Sequence, residues 1–545
     1  KDDCAENALK CILPNLESQS YYQRSVPGLA IAVKSDDISI TLAPGKKRDT
    51  ILLGRLVSEI VDPDEALPWA VKAVLECRYE ELKTLQGVYA LIVVDWLDQN
   101  VRVVSDFLGI RPMYLSKRND LTILSDRAEA APRMGDAKID SLGMAGWLYF
   151  GFPLANRTLF DSVERVTPAS VTTCSADSIQ KVPFWNPIIA EEPIGAVELS
   201  ERIYRRFIAS LRRLMQPYKK GTVLLSGGFD SRLCLLSVLH ETDLKVDAVT
   251  VPYNKAESHV VDNLVRLTGV SCEYVGLNGS VWDEFKSMWY RHPDGFIRWR
   301  NLSFLAVTCS GGVGPFIDGS HSDVALRRSR AGPVDRVLTD ENEAHDYVWN
   351  VHTHHHVDHY FRSDIVGLFE RMARLAADEQ SEETGWSSKF CRLWNIKADE
   401  RRNIAFNYLQ YASIASSIQP FYDRSLIELR LKHPNKMFTK TSYRDLLNRF
   451  FPDFGTLPHS DDLPRGKAAN YTFSWSLWKS LPDLVRFVHR NRDILNVHWI
   501  LPSLAEYSLG SKRHMYVVLE LMRFVKLEQE MRRFGIDLDI KKILS

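Results

Sequence analysis

Short runs of alternating apolar and polar residues dominate the first part of the chain. The runs are GLAIAVKSD, YALIVVDWL, VRVVSDFLG and LTILSD, and polar turns separate them. Alternation of this kind, rich in β-branched residues, predicts half-buried strands. Between these runs lies DEALPWAVKAVLECRYEELKTL, whose apolar residues recur at helical spacing. The first part is therefore predicted to be rich in β-structure, with a helix between its strands.

The pattern changes near Phe184–Gly195, where prolines and acidic residues interrupt it and predict a linker. A long amphipathic helix is predicted next, from about Glu198 to Pro217. Beyond it, GTVLLS and LKVDAVTVPY have the pattern of strands, whereas SRLCLLSVLHE and ESHVVDNLVRLTG have the pattern of helices. Because strands and helices alternate here, we expect a parallel sheet. From about Asp340 onward helices dominate.

The length of 545 residues exceeds what one hydrophobic core supports, since cores stop growing near about 250–300 residues. We therefore expect two domains, at residues 1–190 and 200–545. A content of 45% hydrophobic and 25% charged residues is typical of a folded globular protein. Lys plus Arg equals Asp plus Glu, at 69 each, so the overall charge favours neither nucleic acid nor an anionic membrane as a partner.

The longest apolar runs, such as LAVTC and YALIVVDW, are much shorter than the roughly 20 residues that span a bilayer. The first residues, KDDCAENALK, lack the apolar core of a signal peptide, so we expect a cytoplasmic protein. The 8 cysteines are scattered and form no CxxC pair, which predicts reduced cysteines in the cores. A disulfide between Cys4 and Cys11 stays open as an alternative.

The segment VLLSGGFDSRLC, residues Val223–Cys234, carries the clearest chemical signal. It predicts a strand that ends in Gly227 and Gly228 and is followed by a helix. Glycines at the carboxyl edge of a parallel sheet let the backbone approach a phosphate, and the helix N-terminus supplies free N–H donors. The turn therefore predicts a phosphate-binding site.

The polar residues around the glycines extend this prediction. The hydroxyls of Ser226 and Ser231 add donors, whereas Asp230 would repel the anion unless a divalent cation lies between them. Phosphate and Mg²⁺ are therefore expected together. The turn is not a Walker A loop, because the lysine of GxxxxGK[ST] is missing. The alternative is a tight turn in which Asp230 or Ser231 caps the helix.

Several segments resemble those of the asparagine synthetase family. SGGFDS is similar to the SGGxDS pyrophosphate loop of the PP-loop ATP pyrophosphatases. Asp106–Tyr114, Leu85–Ala90 and Phe184–Pro187 are similar to the family's DxxGxRPLYY, LxGxFA and YWxP segments. Gly319–Asp323 matches its GxGxD loop at the first glycine and the aspartate, and Pro420–Asp423 looks like its PFLD. The resemblance covers nearly the whole chain.

The resemblance implies an α/β fold, with an N-terminal Ntn-hydrolase-like αββα sandwich followed by a PP-loop synthetase domain. That second domain would have a parallel sheet and a helical C-terminal part. ATP and Mg²⁺ are the implied cofactors, with Mg²⁺ held by Asp230 and Asp323. Lys467, in an RGK segment like the family's RxK, would stabilise the developing negative charge. The implied nucleotide-binding residues are Ser226, Gly227, Gly228, Asp230, Ser231 and Glu257, the last with a helix-start carboxylate as its alternative role.

The N-terminal part departs from a working glutaminase, which needs cysteine as its first mature residue so that the α-amino group activates the thiol. Here Cys4 is followed by AENALK, and Leu52–Val57 stands where the glutamine-binding NGEIYN segment would be. We therefore predict a catalytically inactive glutaminase-like domain. In the second domain His321 replaces the middle glycine of GxGxD, and Ser416–Ile418 replaces an ExR motif, which argues against aspartate as the substrate.

Lasso peptide cyclases and β-lactam synthetases share this profile, and they adenylate a carboxylate that an amine of the same molecule then attacks. The prediction is an ATP-dependent amide-bond synthetase acting on a small-molecule or peptide carboxylate, with lactam or macrolactam formation as its specific form. One alternative is an asparagine-synthetase-like amidotransferase that takes ammonia from a partner glutaminase. Another is a non-catalytic recruiting subunit. Whether a partner protein presents the substrate stays open.

Two further groups of residues are candidates for binding. The stretch His352–His359 contains five histidines, and pairs at i,i+4 could share a helical face around zinc. Recognition of an acidic or peptide substrate is the alternative. Arginines in the second half could hold a substrate carboxylate, with a solvated basic surface as the alternative; they are Arg298, Arg300, Arg327 and Arg328.

Overall fold

The computed structural model describes residues 5, 7–8, 21–34, 40–118, 120–135, 137–187, 192–251, 254–276, 289–299, 302–312, 314–322, 326, 341–352, 357–384, 393–412, 415–434, 437–464, 475–508 and 515–536. None of the helices within these ranges is long and apolar enough to cross a bilayer. The five cysteines they contain are free thiols, namely Cys77, Cys174, Cys234, Cys272 and Cys309. Cys4 and Cys11 lie outside the described residues.

Antiparallel sheets contain the N-terminal strands. The largest has the strand order Ile179–Pro183, Ser170–Cys174, Asn100–Ser105, Tyr89–Asp95, Arg48–Gly54 and Ile40–Ala43. A three-stranded sheet has the order Leu121–Ser125, Tyr114–Arg118 and Val163–Arg165. Two-stranded sheets pair Tyr21–Val26 with Leu29–Lys34, and Val57–Ser58 with Leu85–Gln86.

The two larger sheets stack between helices. Successive residues of a strand point to opposite faces, so Leu91 and Ile92 belong to different cores. Leu91 packs with the helix Pro63–Leu75 on the outer face of the six-stranded sheet. Ile92 packs with residues of the three-stranded sheet on the inner face. The helix Ser141–Phe150 covers the far side of the three-stranded sheet, which completes and confirms the predicted αββα sandwich.

A parallel sheet organises the C-terminal half. Its strand order is Cys272–Tyr274, Lys245–Thr250, Lys220–Leu224, Phe316–Ile317 and Ser417–Ile418, and every described pair is parallel. An antiparallel pair, Trp289–Arg291 and Ile297–Trp299, lies apart from it. The predicted parallel sheet is therefore confirmed, and Lys220–Leu224 is its central strand.

Helices make up most of the remaining described chain. The α-helices are Pro63–Leu75, Ser141–Phe150, Ala196–Met215, Phe229–Glu241, Lys255–Thr268, Leu302–Cys309, Glu341–His352, Val357–Tyr360, Ser363–Thr384, Ala405–Tyr411, Arg424–Leu431, Lys440–Phe450, Pro452–Gly455, Trp475–Arg490, Val497–Ser508 and Met515–Arg532. Short 3₁₀ helices span Tyr79–Thr84, Pro132–Met134 and Ser460–Asp462, and a π-helix spans Asn395–Ile404. The helical C-terminal part is confirmed.

The first predicted helix is interrupted. The α-helix ends at Leu75, and Tyr79–Thr84 forms a separate 3₁₀ helix. Between them Cys77 adopts a left-handed conformation, with φ 56°, which an α-helix cannot continue through. The apolar spacing of the segment persists across this break, so the hydrophobic pattern alone predicted one helix.

Two buried polar contacts join the N-terminal sandwich to the C-terminal half. In the first, Asp106 accepts hydrogen bonds from the backbone N–H of Ile110 (3.0 Å) and from the hydroxyl of Tyr422. The Tyr422 ring stacks on Phe107, with ring centroids 4.3 Å apart. Burial raises the pKa of Asp106. This contact docks the DFLGIRP loop onto the PFYD segment.

The second contact is a buried charge network around Asp294. Its carboxylate lies 3.1 Å from Arg402 and 3.9 Å from Arg165, and the Tyr114 hydroxyl donates to it at 2.6 Å. Burial alone would raise the pKa of Asp294, but the two guanidinium groups hold it well below its usual range. Arg165 and Tyr114 belong to the N-terminal half. Apolar cores also combine residues of both halves. The division of the chain into two domains, at residues 1–190 and 200–545, therefore stays a prediction.

Candidate functional site

The glycine turn lies at the carboxyl end of the central parallel strand. Four residues separate the end of the strand Lys220–Leu224 from the start of the helix Phe229–Glu241. Gly228 is the N-cap residue of that helix, and no side chain caps it. The alternative in which Asp230 or Ser231 serves as the cap is therefore wrong. The first N–H groups of the helix point toward the edge of the sheet where the turn lies.

Hydroxyl groups line the turn on one side. The hydroxyls of Ser226 and Ser231 are 3.0 Å apart, and the backbone N–H of Ser226 donates to the Ser231 oxygen at 3.0 Å. The N–H of Gly228 donates to the Ser226 oxygen at 3.3 Å. The structure thus places the two predicted serines together around the glycines. Asp230 lies between them in sequence, in the first turn of the helix.

A carboxylate from the neighbouring helix supports the turn. Glu257, in the first turn of the helix Lys255–Thr268, is buried and accepts a hydrogen bond from the Gly227 N–H at 3.1 Å. The side chain of Asn254 caps that helix by accepting from the Glu257 N–H at 2.9 Å. Glu257 is therefore a helix-start carboxylate whose side chain reaches the turn, and its contact with a nucleotide or Mg²⁺ stays a prediction.

The next parallel strand brings the Gly319 loop against the helix start. A Cβ at Gly319 would lie 3.0 Å from the Cβ of Asp230 and 3.1 Å from the backbone N of Ser231. His321 keeps a left-handed φ of 69°, the conformation that glycine adopts most easily, and its ring lies 5.1 Å from that of Tyr422. The departure from GxGxD therefore preserves a glycine-like backbone.

A segment that sequence reasoning missed lies directly on the glycines. The N–H of Ser460 donates to the Gly227 carbonyl at 3.1 Å, and a Cβ at Gly227 would lie 2.8 Å from that of Ser460. His459 is buried, and its Nε2 would lie 3.8 Å from a Cβ at Gly228. Only the short distance along the chain to Lys467 could have indicated this segment.

Arg232 holds this segment in place. Its guanidinium donates to the carbonyls of Leu457 and Pro458, at 2.9 and 2.8 Å, from the first turns of the helix that follows the glycines. The side chain is fully buried, and burial lowers the pKa of Arg232 to about 10. Contacts at Leu457, Pro458 and Ser460 thus anchor this segment to the glycine turn, and Pro464 is the last described residue before Lys467.

Several predicted residues lie outside the described ranges, namely Asp323, Lys467, Arg300, Arg327, Arg328 and His354–His356. Of the histidine cluster, His359 is exposed and its ring stacks on Trp499 at 4.9 Å. Within the described residues no group of three or more His, Cys, Asp or Glu side chains could hold a metal ion. Arg298 donates to Asn403 at 2.7 Å and lies 5.0 Å above the Phe406 ring, so it is a packed residue rather than a solvated one.

Side chains fill the strand end at Gly54 and Arg55, which the sequence analysis compared with a glutamine-binding segment. Gly54 has φ 85°, and a Cβ there would meet the carbonyl of Val88 and lie 3.4 Å from the Tyr408 hydroxyl. Arg55 donates to the Tyr218 hydroxyl at 2.8 Å, with its guanidinium 4.9 Å above that ring. Burial lowers the pKa of Arg55. Tyr218 and Tyr408 come from the C-terminal half, so this strand end is a packing surface between the halves.

The glycine turn fits a phosphate group and Mg²⁺ by its chemistry. Ser460 lies where a side chain at Gly227 would be, and the N–H groups of Gly227 and Gly228 donate to Glu257 and Ser226. Backbone N–H donors for a phosphate would therefore come from the first turn of the helix Phe229–Glu241. The hydroxyls of Ser226 and Ser231 would add donors, although that of Ser231 also donates to the Ser226 carbonyl at 3.1 Å, and Asp230 would supply the oxygen ligand that Mg²⁺ prefers. The assignment of a phosphate and Mg²⁺ to this turn stays a prediction.

Comparison with known proteins bears on the N-terminal sandwich. Residues 70–185 match the family model of a glutamine amidotransferase domain. This amidotransferase-like stretch begins within the first helix and ends at Trp185, so it includes most strands of the two larger sheets. A search of curated proteins returned no match.

Two solved structures align with parts of the chain. The structure of the allosteric regulatory enzyme of purine biosynthesis is 11% identical, with 46% of this chain and 67% of that chain covered and a TM-score of 0.21. Glutamine phosphoribosylpyrophosphate amidotransferase from B. subtilis, complexed with ADP and GMP, is 13% identical, with 58% and 65% covered and a TM-score of 0.20. The chain thus spans slightly less than two thirds of the latter. At these TM-scores neither likeness bears on the activity of the present chain.

Proposed function

We propose that the chain is an ATP-dependent amide-bond synthetase that forms an acyl-adenylate. The observation that supports this most directly is the glycine turn at the end of the central parallel strand, with hydroxyls on one side and the segment leading to Lys467 on the other. A turn of this kind favours a nucleotide phosphate. The amidotransferase-like N-terminal domain is consistent with a carbon–nitrogen ligase.

In the proposed reaction a substrate carboxylate oxygen attacks the α-phosphorus of ATP, and the bond to pyrophosphate breaks. An amine then attacks the acyl carbon, loses a proton, and expels AMP. Ser226, Ser231 and the helix N-terminus would bind the phosphates through their donors. Mg²⁺, held by Asp230 and Asp323, would neutralise the phosphate charge, and Lys467 would stabilise the charge that develops as pyrophosphate leaves.

An intramolecular amine, and hence a lactam or macrolactam product, is the specific form that we propose. The Gly54–Arg55 strand end favours it, because side chains of the C-terminal half fill the place where the glutamine-binding segment of the resembling family would be. A domain so filled is a scaffold and not an ammonia source. The second candidate, an amidotransferase supplied with ammonia by a partner, differs in requiring ammonium salts for product formation.

Exchange of labelled pyrophosphate into ATP, measured with a panel of small acids and peptides, tests adenylation and identifies the acyl donor. The substitution Asp230→Asn should abolish exchange without unfolding the protein, because the carboxylate that holds Mg²⁺ is lost. Asp247→Asn is the matched control, since Asp247 is an exposed carboxylate on the adjacent strand. Undiminished exchange in Asp230→Asn would refute the magnesium assignment. Failure of the wild type to bind ATP would favour a recruiting subunit.

A further inference from the structure

His321 occupies a backbone position that suits glycine better than histidine. Its φ of 69° is left-handed, a conformation that a Cβ makes less favourable. The side chain is also buried, with only 2% of the residue exposed. A buried side chain on such a backbone persists only where its surroundings fix it, and positions of this kind concentrate near functional sites. The ring contacts of His321 are therefore expected to matter for function.

The ring of His321 lies against a tyrosine that the N-terminal sandwich fixes. The ring centroids of His321 and Tyr422 are 5.1 Å apart, at an interplanar angle of 51°. Tyr422 is buried, its hydroxyl donates to Asp106, and the N–H of Leu108 donates to that hydroxyl at 3.2 Å. The Tyr422 ring stacks on Phe107, with centroids 4.3 Å apart. Tyr422 is therefore held by the DFLGIRP loop of the sandwich.

The same turn also contacts the proposed nucleotide site. Two residues before His321, Gly319 packs on the start of the helix Phe229–Glu241. A Cβ at Gly319 would lie 3.0 Å from the Cβ of Asp230 and 3.1 Å from the backbone N of Ser231. A movement of Gly319 toward the helix would therefore push on the proposed magnesium ligand and on a proposed phosphate donor.

The turn between Gly319 and His321 is short and tightly hydrogen-bonded. The carboxylate of Asp318 accepts from the N–H and the hydroxyl of Ser320, at 3.0 and 2.8 Å. The N–H of Asp318 donates to the Ile418 carbonyl at 2.9 Å, which ties the start of the turn to the neighbouring strand. Because packed and hydrogen-bonded neighbours carry displacements to one another, a change at the His321 ring should move Gly319.

We infer that His321 is a positioning residue for the proposed nucleotide site. Its ring, packed on Tyr422, holds the backbone of Gly319 against Asp230 and Ser231. A glycine in place of His321 would supply the backbone conformation but not the contact with Tyr422. The N-terminal sandwich fixes Tyr422 and so contributes to the geometry of the site through this packing. The inference rests on the proposed function, because it concerns the site where ATP would bind.

Two buried tyrosine hydroxyls join the halves, and they provide a matched pair of variants. Tyr422→Phe removes the hydroxyl that donates to Asp106, and Tyr114→Phe removes the one that donates to Asp294 at 2.6 Å. Both should lower the melting temperature, because each leaves a buried carboxylate with one hydrogen bond fewer. Only Tyr422→Phe should also weaken the binding of magnesium-ATP to the folded protein, by roughly two- to thirtyfold. Titration calorimetry below the melting transition measures this affinity. Unchanged affinity in Tyr422→Phe, or an equal loss in both variants, would overturn the inference.

His321→Gly tests the ring itself. Glycine adopts a left-handed φ readily, so the variant should fold. Its affinity for magnesium-ATP should fall by roughly the same two- to thirtyfold. Ala155→Gly is the matched control, since Ala155 is also buried and has a left-handed φ of 49°. That control should bind magnesium-ATP as wild type does.

A double variant separates positioning from a merely structural role. Because both changes act through one ring contact, Tyr422→Phe should add little to the loss already caused by His321→Gly. Losses that add in the double variant, or retained affinity in His321→Gly, would overturn the inference and leave the proposed function standing. Failure of wild type to bind magnesium-ATP would count against the proposed function and, with it, this inference.

Discussion

Two glycines at the ends of strands, Gly54 and Gly227, differ in what approaches them. The carbonyl of Val88 and the hydroxyl of Tyr408 lie close to Gly54, and the neighbouring Arg55 donates a hydrogen bond to Tyr218. Around Gly227 the neighbours are serine hydroxyls, a buried carboxylate and the segment that leads to Lys467. A glycine marks close backbone approach in both places, but only at the second do serine hydroxyls and a helix N-terminus come together, which are groups of the kind that proteins use to bind phosphate.

The strand end at Gly54 is a packing surface, whereas the turn at Gly227 is the proposed nucleotide site. Contacts at the N-terminal strand end join the two halves, so their loss should reduce stability and leave nucleotide binding intact. Loss of contacts at the glycine turn should instead weaken nucleotide binding and leave stability intact. Variants in each region therefore test this difference.

The largest effect is expected from the charge network that joins the halves. Arg402→Met leaves the carboxylate of Asp294 buried with less compensation, and the loss of one partner from such a network costs about 3–5 kcal/mol. Denaturant unfolding measures it. Arg486→Met, which removes a strongly exposed guanidinium, should change stability little. Equal stability of Arg402→Met and wild type would show that the network does not hold the halves together.

Gly227→Ala should weaken ATP binding by about a hundredfold, because its Cβ collides with Ser460 and displaces the segment on the turn. Titration calorimetry with magnesium-ATP measures the loss. Gly54→Ala is the paired variant: its left-handed φ and the nearby Val88 carbonyl should reduce stability by about 1–3 kcal/mol while ATP affinity is retained. A loss of ATP affinity in Gly54→Ala would remove the distinction between the two strand ends.

Acid should destabilise the junction through His292, a buried ring whose Nδ1 lies 3.4 Å from the carboxylate of Asp294. Burial lowers its pKa from 6.5 to about 3, so the folded protein keeps the ring neutral while the unfolded chain takes up a proton below pH 6.5. Stability should thus fall as the pH drops, by about 2 kcal/mol between pH 7 and 5. In His292→Asn this part of the pH dependence should disappear. A variant with the same pH dependence as wild type would exclude His292 as its source.

Arg55→Met should have the smallest effect. Methionine keeps an apolar stem over Tyr218 but loses the hydrogen bond and the cation–π contact, which together contribute about 1 kcal/mol at a partly buried site. Melting curves measure the change, and pyrophosphate exchange should be unaltered. Exchange that falls with Arg55→Met would show that the N-terminal strand end communicates with the glycine turn.

The sandwich and the parallel sheet could be predicted because their strands keep regular hydrophobic periods. The glycine turn could be predicted because its residues are contiguous from Ser226 to Ser231. His459 could not, since it reaches the sheet edge from a distant part of the chain and belongs to no local pattern. The break at Cys77 was also missed, because a left-handed residue inside an apolar period leaves the period unchanged.

By itself, the sequence determined the order of strands and helices and the position of one glycine turn, because these depend on local periodicity and on residues adjacent in the chain. Only the tertiary structure decided which groups surround each strand end. Parallel pairing brought Gly319 to the edge that carries Gly227, and the docking of the two halves placed Tyr218 and Tyr408 on Gly54–Arg55. Contacts between residues hundreds of positions apart follow from packing, which no local pattern encodes.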